Sequence, residues 1–173
     1  DSYTRPKKPY KDKNGVKKMR TIRHFIDDRA ENKPNKIYMI APEPKLELTY
    51  GQLKEDSVTL GKHLMGMGLK KGDKVSFMMG NGYQTNKLFL GSMYSGFVIA
   101  PLNLLAQPSQ LHRGTEIEGN SIVFFTEDQK ERLETAHSNV KRDIKLIQIN
   151  NDAETIFSAD ENISDFDLPD VTE

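Results

Sequence analysis

The side chains that most often perform catalysis are few and dispersed in this sequence. Cysteine is absent, which excludes thiolate nucleophiles, disulfides and cysteine-bound zinc. None of the four histidines has a second histidine four residues away or a carboxylate at a recognisable metal-ligand interval. We therefore predict neither a catalytic residue nor a metal ligand on this chain. The histidines are His24, His63, His112 and His137.

The best local candidate for an anion site is Gly80-Asn81-Gly82. It follows a strand pattern and opens a helical one, so free N–H groups and the positive end of a helix would lie where an anion could bind. A dinucleotide fingerprint would need a third glycine near Thr85 and an acid ending the next strand, and both are missing. Turn glycines explain the pattern better, and a small nucleotide- or anion-binding module stays as the alternative.

Two other motifs of acyl and phosphoryl chemistry are missing from the sequence. The glycines of residues 91–96 are too widely spaced for the Gly-x-Ser-x-Gly nucleophile elbow. The one Gly-Lys pair, Gly61-Lys62, is not followed by serine or threonine and falls inside a predicted helix, so it is not a phosphate-binding loop. We therefore expect no acyl transfer through serine and no cradle for ATP among these residues.

The length of 173 residues suits one domain that buries about 70% of its unfolded surface. Apolar runs such as residues 97–100 are far shorter than the roughly 20 residues of a membrane-spanning helix, and residues 1–20 lack the apolar core of a secretory signal. We expect a soluble, cytoplasmic protein without a transmembrane segment. The chain opens with Asp1 rather than Met, which we interpret as a processed chain or a piece of a longer one.

The charges balance overall but separate toward the two ends of the chain. Residues 1–23 hold nine of the lysines and arginines, whereas residues 152–173 hold eight acids and no basic residue follows Lys145. We predict a basic, flexible arm over residues 1–20, a folded region over 21–150 and an acidic, partly docked tail over 151–173. No RNA motif with interleaved aromatics accompanies the arm, so nucleic acid is not expected as a partner. An interaction protein that uses its charged ends is a second alternative.

Apolar periodicity predicts strands and helices in alternation over the second half of the chain. Successive strand–helix units begin at Lys74, Phe97, Ser121 and Ile144, which are 23 or 24 residues apart, the length of one strand plus one crossover helix. This rhythm predicts an α/β fold with an open, mostly parallel sheet flanked by helices on both faces. The predicted helices of these units span residues 83–95, 109–118 and 129–139.

The first half of the folded region predicts a helix, a hairpin and a second helix. Strand patterns at residues 37–40 and 46–49 are separated by a short turn, which favours an antiparallel hairpin. Thr49 and Gln52 have the spacing of a capping box, so the next helix is expected to begin there. The first helix, near residues 21–31, is predicted to bury a face made of Ile22, Phe25, Ile26 and Ala30.

Two stretches of sequence then indicate a family. Residues 48–53 (LTYGQL) and 91–103 (GSMYSGFVIAPLN) resemble the first two core motifs of the adenylate-forming superfamily, which includes acyl-CoA synthetases, adenylation domains of peptide synthetases and luciferases. Residues 68–75, the turn at Asn81 and residues 122–126 match in order and spacing, so the likeness covers roughly residues 21–149. The sequence Pro-Leu-Asn at 101–103 is more similar to acyl-CoA synthetases than to peptide synthetases.

The resemblance implies that the chain is the N-terminal subdomain of the large domain of an ATP-dependent acyl-CoA synthetase. Such an enzyme joins a carboxylic or fatty acid to ATP as an acyl-adenylate, with Mg²⁺, and passes the acyl group to coenzyme A. The family's Ser/Thr/Gly-rich loop ending in Pro-Lys-Gly is missing here, so we expect this segment alone to be inactive and to bind none of these cofactors tightly. Its expected partners are the remainder of its own polypeptide and, in the whole enzyme, the acid substrate, and its uncovered apolar faces are expected to promote self-association.

The same resemblance implies where coenzyme A would lie. In relatives its nucleotide lies near the loop after the second motif and near the helix that follows Thr126. Asn103, Leu105, Lys130 and Arg132 are therefore the candidate coenzyme A contacts, with the two cations able to meet a phosphate. A solvated helix face is the alternative interpretation of Lys130 and Arg132.

Overall fold

A computed structural model describes residues 10–11, 15, 17–18, 20–107, 109–111, 120–138, 143–157 and 166–171. The strands are β1 (Tyr10–Lys11), β2 (Lys17–Lys18), β3 (Ile37–Ala41), β4 (Leu46–Thr49), β5 (Lys74–Met78), β6 (Val98–Pro101), β7 (Asn120–Phe125) and β8 (Lys145–Gln148). The α-helices are α1 (Ile22–Asn32), α2 (Tyr50–Gly66), α3 (Tyr83–Tyr94) and α4 (Lys130–His137), the last preceded by a 3₁₀ turn at Glu127–Gln129.

The four strands of the predicted sheet pair in the order β6-β5-β7-β8, and every pair is parallel. The open parallel sheet predicted from the 23–24-residue rhythm is thus confirmed. The strands β3 and β4 form the predicted antiparallel hairpin, and β1 pairs with β2 inside the basic arm. Residues 109–111 of the predicted helix 109–118 are helical, and the rest of that prediction lies outside the described residues.

Helices cover both faces of the sheet. Alternate residues of β5 and β7, such as Val75 and Phe124, point to a core shared with Leu64 of α2 and Leu88 of α3. The other set, which includes Val123, packs against α4 and the segment that follows β6. Strands buried on both faces read as continuous apolar runs, which explains the pattern of residues 122–125. The residues of the second core are Met78, Leu102, Ala106, Leu111, Val123, Phe125, Leu133, Ala136 and Ile144.

The capping box predicted at the start of α2 is confirmed. The Gln52 backbone N–H donates to Thr49 Oγ1 over 3.3 Å, and the Thr49 N–H donates to Gln52 Oε1 over 2.9 Å. The helix ends at Gly66, and Gly68 adopts a φ of 94°, the left-handed conformation that glycine tolerates best. Of the predicted face of α1, Ile26 is buried and Ile22 and Ala30 are half-buried, whereas Phe25 is 39% exposed and lies beside the guanidinium of Arg20.

The helices α2 and α3 approach each other through small side chains. A Cβ atom added to Gly61 would lie 2.6 Å from Ser95 Cβ, and one added to Gly91 would lie 2.8 Å from Leu60 Cδ2. Ser95 Oγ donates to the carbonyl of Ser57 over 3.0 Å, so the narrow contact is also hydrogen-bonded.

Residues 150–157, which we call the strap, follow β8 and cross the start of α3 toward α2. Lys87 Nζ donates to the carbonyl of Glu154 over 2.9 Å. Phe157 stacks on the ring of His63, with 4.3 Å between ring centroids. Leu168 lies further along the chain and packs beside Gly61. The described part of the acidic segment 151–173 therefore contacts α2 and α3 directly.

Candidate functional site

The loops with the best placement for ligand binding lie at the carboxyl edge of the parallel sheet. From β5 the chain passes outward to β6 and then returns across the sheet to β7, so β5 and β7 flank the point where the strand order reverses. In open α/β sheets, ligands bind outside the carboxyl ends of the strands at this point. Four loops follow the strands at this edge of the sheet: residues 80–82 after β5, 103–106 after β6, 126–128 after β7 and the beginning of the strap after β8.

A crevice of about 790 Å³ opens between the loops that follow β5, β7 and β8. Its charged lining residues are all acidic: Glu127, Asp128 and Asp152. Hydrogen bonds from Thr126 and then Gln129 hold the pKa of Asp128 below its usual range, so this carboxylate is ionised at neutral pH. The crevice therefore repels phosphate groups.

Asn151 of the strap caps the first turn of α3. Its side-chain Oδ1 accepts the Thr85 N–H over 3.0 Å, and its backbone carbonyl accepts the Gln84 N–H over 3.0 Å. Its Nδ2 donates to the carbonyl of Gly80 over 3.0 Å. A Cβ atom at Gly82 would lie 2.3 Å from Asn151 Nδ2, so glycine is needed here to admit the carboxamide.

This arrangement disfavours the alternative of an anion site at Gly80-Asn81-Gly82. The N–H groups of Gln84 and Thr85, which an anion would use, already donate to Asn151. The nearby side-chain charges are negative. Gly82 instead leaves space for the side chain of Asn151, which caps α3. The second alternative rests on the two charged ends, which lie largely outside the described residues.

Replacing Asn151 by alanine is expected to lower the free energy of unfolding by about 1–2 kcal/mol, because the variant loses a helix cap and the bond to Gly80. Gln148→Ala, at an exposed residue lining the same crevice, is the matched control and is expected to change stability by less than about 0.5 kcal/mol. Urea titration monitored by circular dichroism measures both values. Equal midpoints for the two variants would show that Asn151 does not cap α3.

The structure brings together three of the four predicted coenzyme A contacts. Asn103 and Leu105 lie on the turn formed by residues 103–106, and Arg132 reaches this turn from α4. Arg132 Nη1 donates to the carbonyl of Leu104 over 2.6 Å, and Nη2 donates to the carbonyl of Ala106. The Arg132 guanidinium therefore binds the turn itself, and its contact with coenzyme A stays a prediction. Lys130 begins α4 and is half-buried.

The residues that carried the family resemblance have structural roles. In residues 48–53, Leu48 and Leu53 are buried, Thr49 caps α2 and the Gly51 N–H donates to the carbonyl of Pro34 over 2.9 Å. In residues 91–103, small side chains allow α3 to approach α2, and Gly96 turns the chain into β6 with a φ of 88°. Both motifs therefore determine the fold that places the loops.

Sequence reasoning missed Asn151 and Lys87. Asn151 acts on residues more than sixty positions away, and its only local signal was a polar turn after the last strand. Lys87 is 8% exposed, and Nζ lies 2.8 Å from Asp56 Oδ2 and 5.0 Å from the centre of the Tyr83 ring. A lysine next to Leu88 in a helix is ordinarily solvated, so its burial depends on the strap that covers it.

An open parallel sheet with helices on both faces and its loops gathered at the carboxyl edge defines a doubly wound α/β domain. The sequence model of the family described as AMP-binding enzyme matches residues 26–171, so the chain belongs to the AMP-binding enzyme family. The resemblance of residues 48–53 and 91–103 to the adenylate-forming superfamily is thereby confirmed.

Curated relatives are longer than this chain. The sulfoacetate–CoA ligase of Cupriavidus necator is 34% identical over 136 residues, which cover 79% of this chain and 27% of the ligase. The mitochondrial medium-chain acyl-CoA ligase of Bos taurus is 23% identical over 111 residues, which cover 64% of this chain and 18% of that protein. The chain thus spans less than a third of either relative.

Solved structures show the same fold. The fatty acyl CoA synthetase of Mycobacterium tuberculosis superposes with a TM-score of 0.69 at 20% identity, over 76% of this chain and 27% of that one. The benzoate CoA ligase of Burkholderia xenovorans gives 0.68 at 18% identity, over 77% and 26%. At these identities the likeness shows the fold alone.

The described residues fit the family's ligands unequally. Within the part of the chain that the structure describes, no group of three or more His, Asp or Glu residues could hold a metal ion. The crevice beside β5 and β7 is lined by acidic side chains, and the N–H groups at the start of α3 already donate to Asn151. It therefore does not fit nucleotide phosphates. The turn 103–106 presents the side chain of Leu105, which is 87% exposed. None of the described helices has the length and apolar character needed to cross a membrane.

Proposed function

We propose that this chain is the N-terminal part of an ATP-dependent acyl-CoA synthetase. The match of residues 26–171 to the AMP-binding enzyme family carries this proposal, and the identity to the sulfoacetate–CoA ligase supports it. The reaction would convert a carboxylic or fatty acid and ATP into an acyl-adenylate and then into the coenzyme A thioester. An adenylate is needed because a carboxylate resists nucleophiles, whereas AMP leaves readily from a mixed anhydride.

In this proposal the described residues form the scaffold, and ATP and Mg²⁺ bind mainly to parts of the enzyme outside this chain. The acidic crevice and the capped start of α3 support that division. Coenzyme A would contact the turn 103–106 and the start of α4 through Asn103, Leu105 and Lys130. The cytoplasm remains our proposed location, and fatty acid metabolism our proposed context.

The proposed partner is the remainder of the polypeptide. A groove of about 690 Å³ lies between the hairpin β3–β4 and the first half of α3. Ile40 and Phe89, which line the same groove, are 60% and 40% exposed, so the groove presents apolar surface to a partner. In the chain by itself these apolar surfaces would favour self-association.

The proposal predicts acid-dependent exchange of pyrophosphate into ATP by the complete polypeptide that contains this sequence. The 173-residue chain alone is expected to show no exchange above background. Exchange is measured with radiolabelled pyrophosphate in the presence of sulfoacetate, medium-chain fatty acids and benzoate, the acids suggested by the names of the similar proteins. A complete polypeptide that is folded but inactive with every acid would contradict the function, and turnover by the chain alone would contradict its assignment as a scaffold.

A further inference from the structure

The loop between β5 and α3 contains an asparagine that is followed directly by a glycine. Asn81 is exposed and lines both the groove beside the hairpin β3–β4 and the acidic crevice. Within the described part of the chain its carboxamide forms no hydrogen bond, and neither does the backbone N–H of Gly82. Water therefore reaches a carboxamide that no partner holds, next to a backbone nitrogen that no acceptor occupies.

These two groups are the reactants of asparagine deamidation. The Gly82 nitrogen loses its proton and bonds to Cγ of Asn81, which closes a succinimide ring and expels the side-chain nitrogen as ammonia. Water then opens the ring at either carbonyl and leaves aspartate or isoaspartate in place of the asparagine. Glycine favours ring closure because it has no Cβ atom to hinder the attacking nitrogen. The reaction needs only water, so it can proceed without another protein.

Contacts made by Asn151 and Thr85 hold the two ends of this loop. Asn151 Nδ2 donates to the carbonyl of Gly80 over 3.0 Å, and Thr85 Oγ1 donates to the same carbonyl over 2.6 Å. After Asn81, Gly82 packs so closely against the Asn151 carboxamide that an added Cβ atom would lie 2.3 Å from Nδ2. Ring closure rotates the backbone at Asn81 toward its own side chain, so it requires a local opening of these contacts.

We infer that Asn81 is a site of spontaneous deamidation and that Asn151 slows the reaction by holding the loop. The product changes the candidate site in two ways. A new carboxylate joins the acids of the crevice, and isoaspartate adds one carbon atom to the backbone between Gly80 and Gly82. The longer loop moves the Gly80 carbonyl away from its two donors, which loosens the strap as the protein ages. The inference depends on this loop and not on the proposed function.

The test follows the complete polypeptide that contains this sequence during incubation at neutral and alkaline pH. Peptide mass spectrometry measures conversion of Asn81, because a carboxylate and an amide differ in mass, and chromatography separates isoaspartate from aspartate. Conversion is expected in the folded protein, at a lower rate than in the protein unfolded in urea. It is expected to be faster at alkaline pH, because the attacking nitrogen must lose its proton. Asn14-Gly15, the other Asn-Gly pair of the sequence, provides an internal reference.

Three variants test the two parts of the inference. Asn151→Ala is expected to speed conversion of Asn81 about tenfold, since loss of a hydrogen-bonded helix cap makes the open loop about tenfold more populated. Asn81→Gln keeps the carboxamide on a longer side chain, which disfavours ring closure, and is expected to yield no product at this position. Gln148→Ala, at an exposed residue of the same crevice, is the control and should convert at the unmodified rate.

Two results would overturn the inference. In one, Asn14 converts during the incubation while Asn81 of the folded protein stays intact. In the other, Asn81 converts equally fast in Asn151→Ala and in the unmodified protein, with circular dichroism showing that both are folded. Isoaspartate at this position, accompanied by faster hydrogen exchange at the Thr85 amide, supports the inference, because that amide donates to Asn151.

Discussion

Lys87→Met is expected to lower the free energy of unfolding by about 3 kcal/mol. The substitution keeps most of the side-chain volume but removes the ammonium that pairs with Asp56 over 2.8 Å and with the carbonyl of Glu154 over 2.9 Å. Removing one partner of a buried ion pair costs about 3–5 kcal/mol, and we take the low end because the Asp56 side chain is 36% exposed. The loss is expected to release the strap from α3, since Glu154 belongs to the strap.

Lys54→Met is the matched control for this measurement. Lys54 pairs with Asp27 over 3.0 Å, but the two side chains are 43% and 38% exposed, so its removal should cost less than about 1 kcal/mol. Urea titrations at low and high salt measure both variants. Salt should weaken the contribution of Lys54 and leave that of Lys87 nearly intact. Equal losses for the two variants would show that burial beneath the strap does not strengthen the Lys87 pair.

Gly61→Ala is expected to destabilise the protein by about 2 kcal/mol, although alanine is the better helix former. The new Cβ would lie 2.2 Å from Ser95 Oγ and 2.6 Å from Ser95 Cβ, so α2 and α3 would have to separate. Overpacking of this kind costs about 1–3 kcal/mol, and we take the upper end because the new Cβ would also lie 2.6 Å from Leu168 Cδ2. The gain in helix propensity of about 1 kcal/mol then leaves a net loss of about 2 kcal/mol. Ser95 cannot turn away without losing its bond to Ser57.

Gly66→Ala in the same helix provides the control, and the two substitutions should have opposite signs. A Cβ atom at Gly66 would lie 3.4 Å from Phe166 Cε2, an ordinary van der Waals contact, so only the propensity term remains. We expect Gly66→Ala to be neutral or to stabilise by up to about 1 kcal/mol. Thermal unfolding followed by circular dichroism measures both, and stabilisation by Gly61→Ala would contradict the close approach of α2 and α3.

Only part of the turn 103–106 and its contacts could be predicted from the sequence. The positions of Asn103 and Leu105 on the loop after β6 followed from the family resemblance, and the structure places them on an ordered turn. The prediction that Arg132 could meet a phosphate rested on the same resemblance and on its charge. Its contacts with the carbonyls of Leu104 and Ala106 join residues 26 and 28 positions away, and no local pattern encodes that pairing. The coenzyme A role of these residues stays a prediction.

The same limit applies to the loop at Gly80-Asn81-Gly82. The sequence indicated a strand end and a helix start there, and both are present. Whether the donors of that helix were free for an anion depended on Asn151, which reaches them only because β8 ends beside β7 and the strap turns back over α3. Glycines that make room for a carboxamide and glycines that make room for a phosphate look identical in sequence.

By itself the sequence determined the described helices and strands from α1 to β8, the open parallel sheet and the family, because apolar periodicity, capping pairs and core motifs are local signals. Only the tertiary structure decided which polar groups are used inside the protein: Asn151 at α3, Lys87 beneath the strap and Arg132 on the turn 103–106. Burial of a polar group is favourable only when a partner satisfies it, and the partners here come from distant parts of the chain that the fold alone brings within hydrogen-bonding distance.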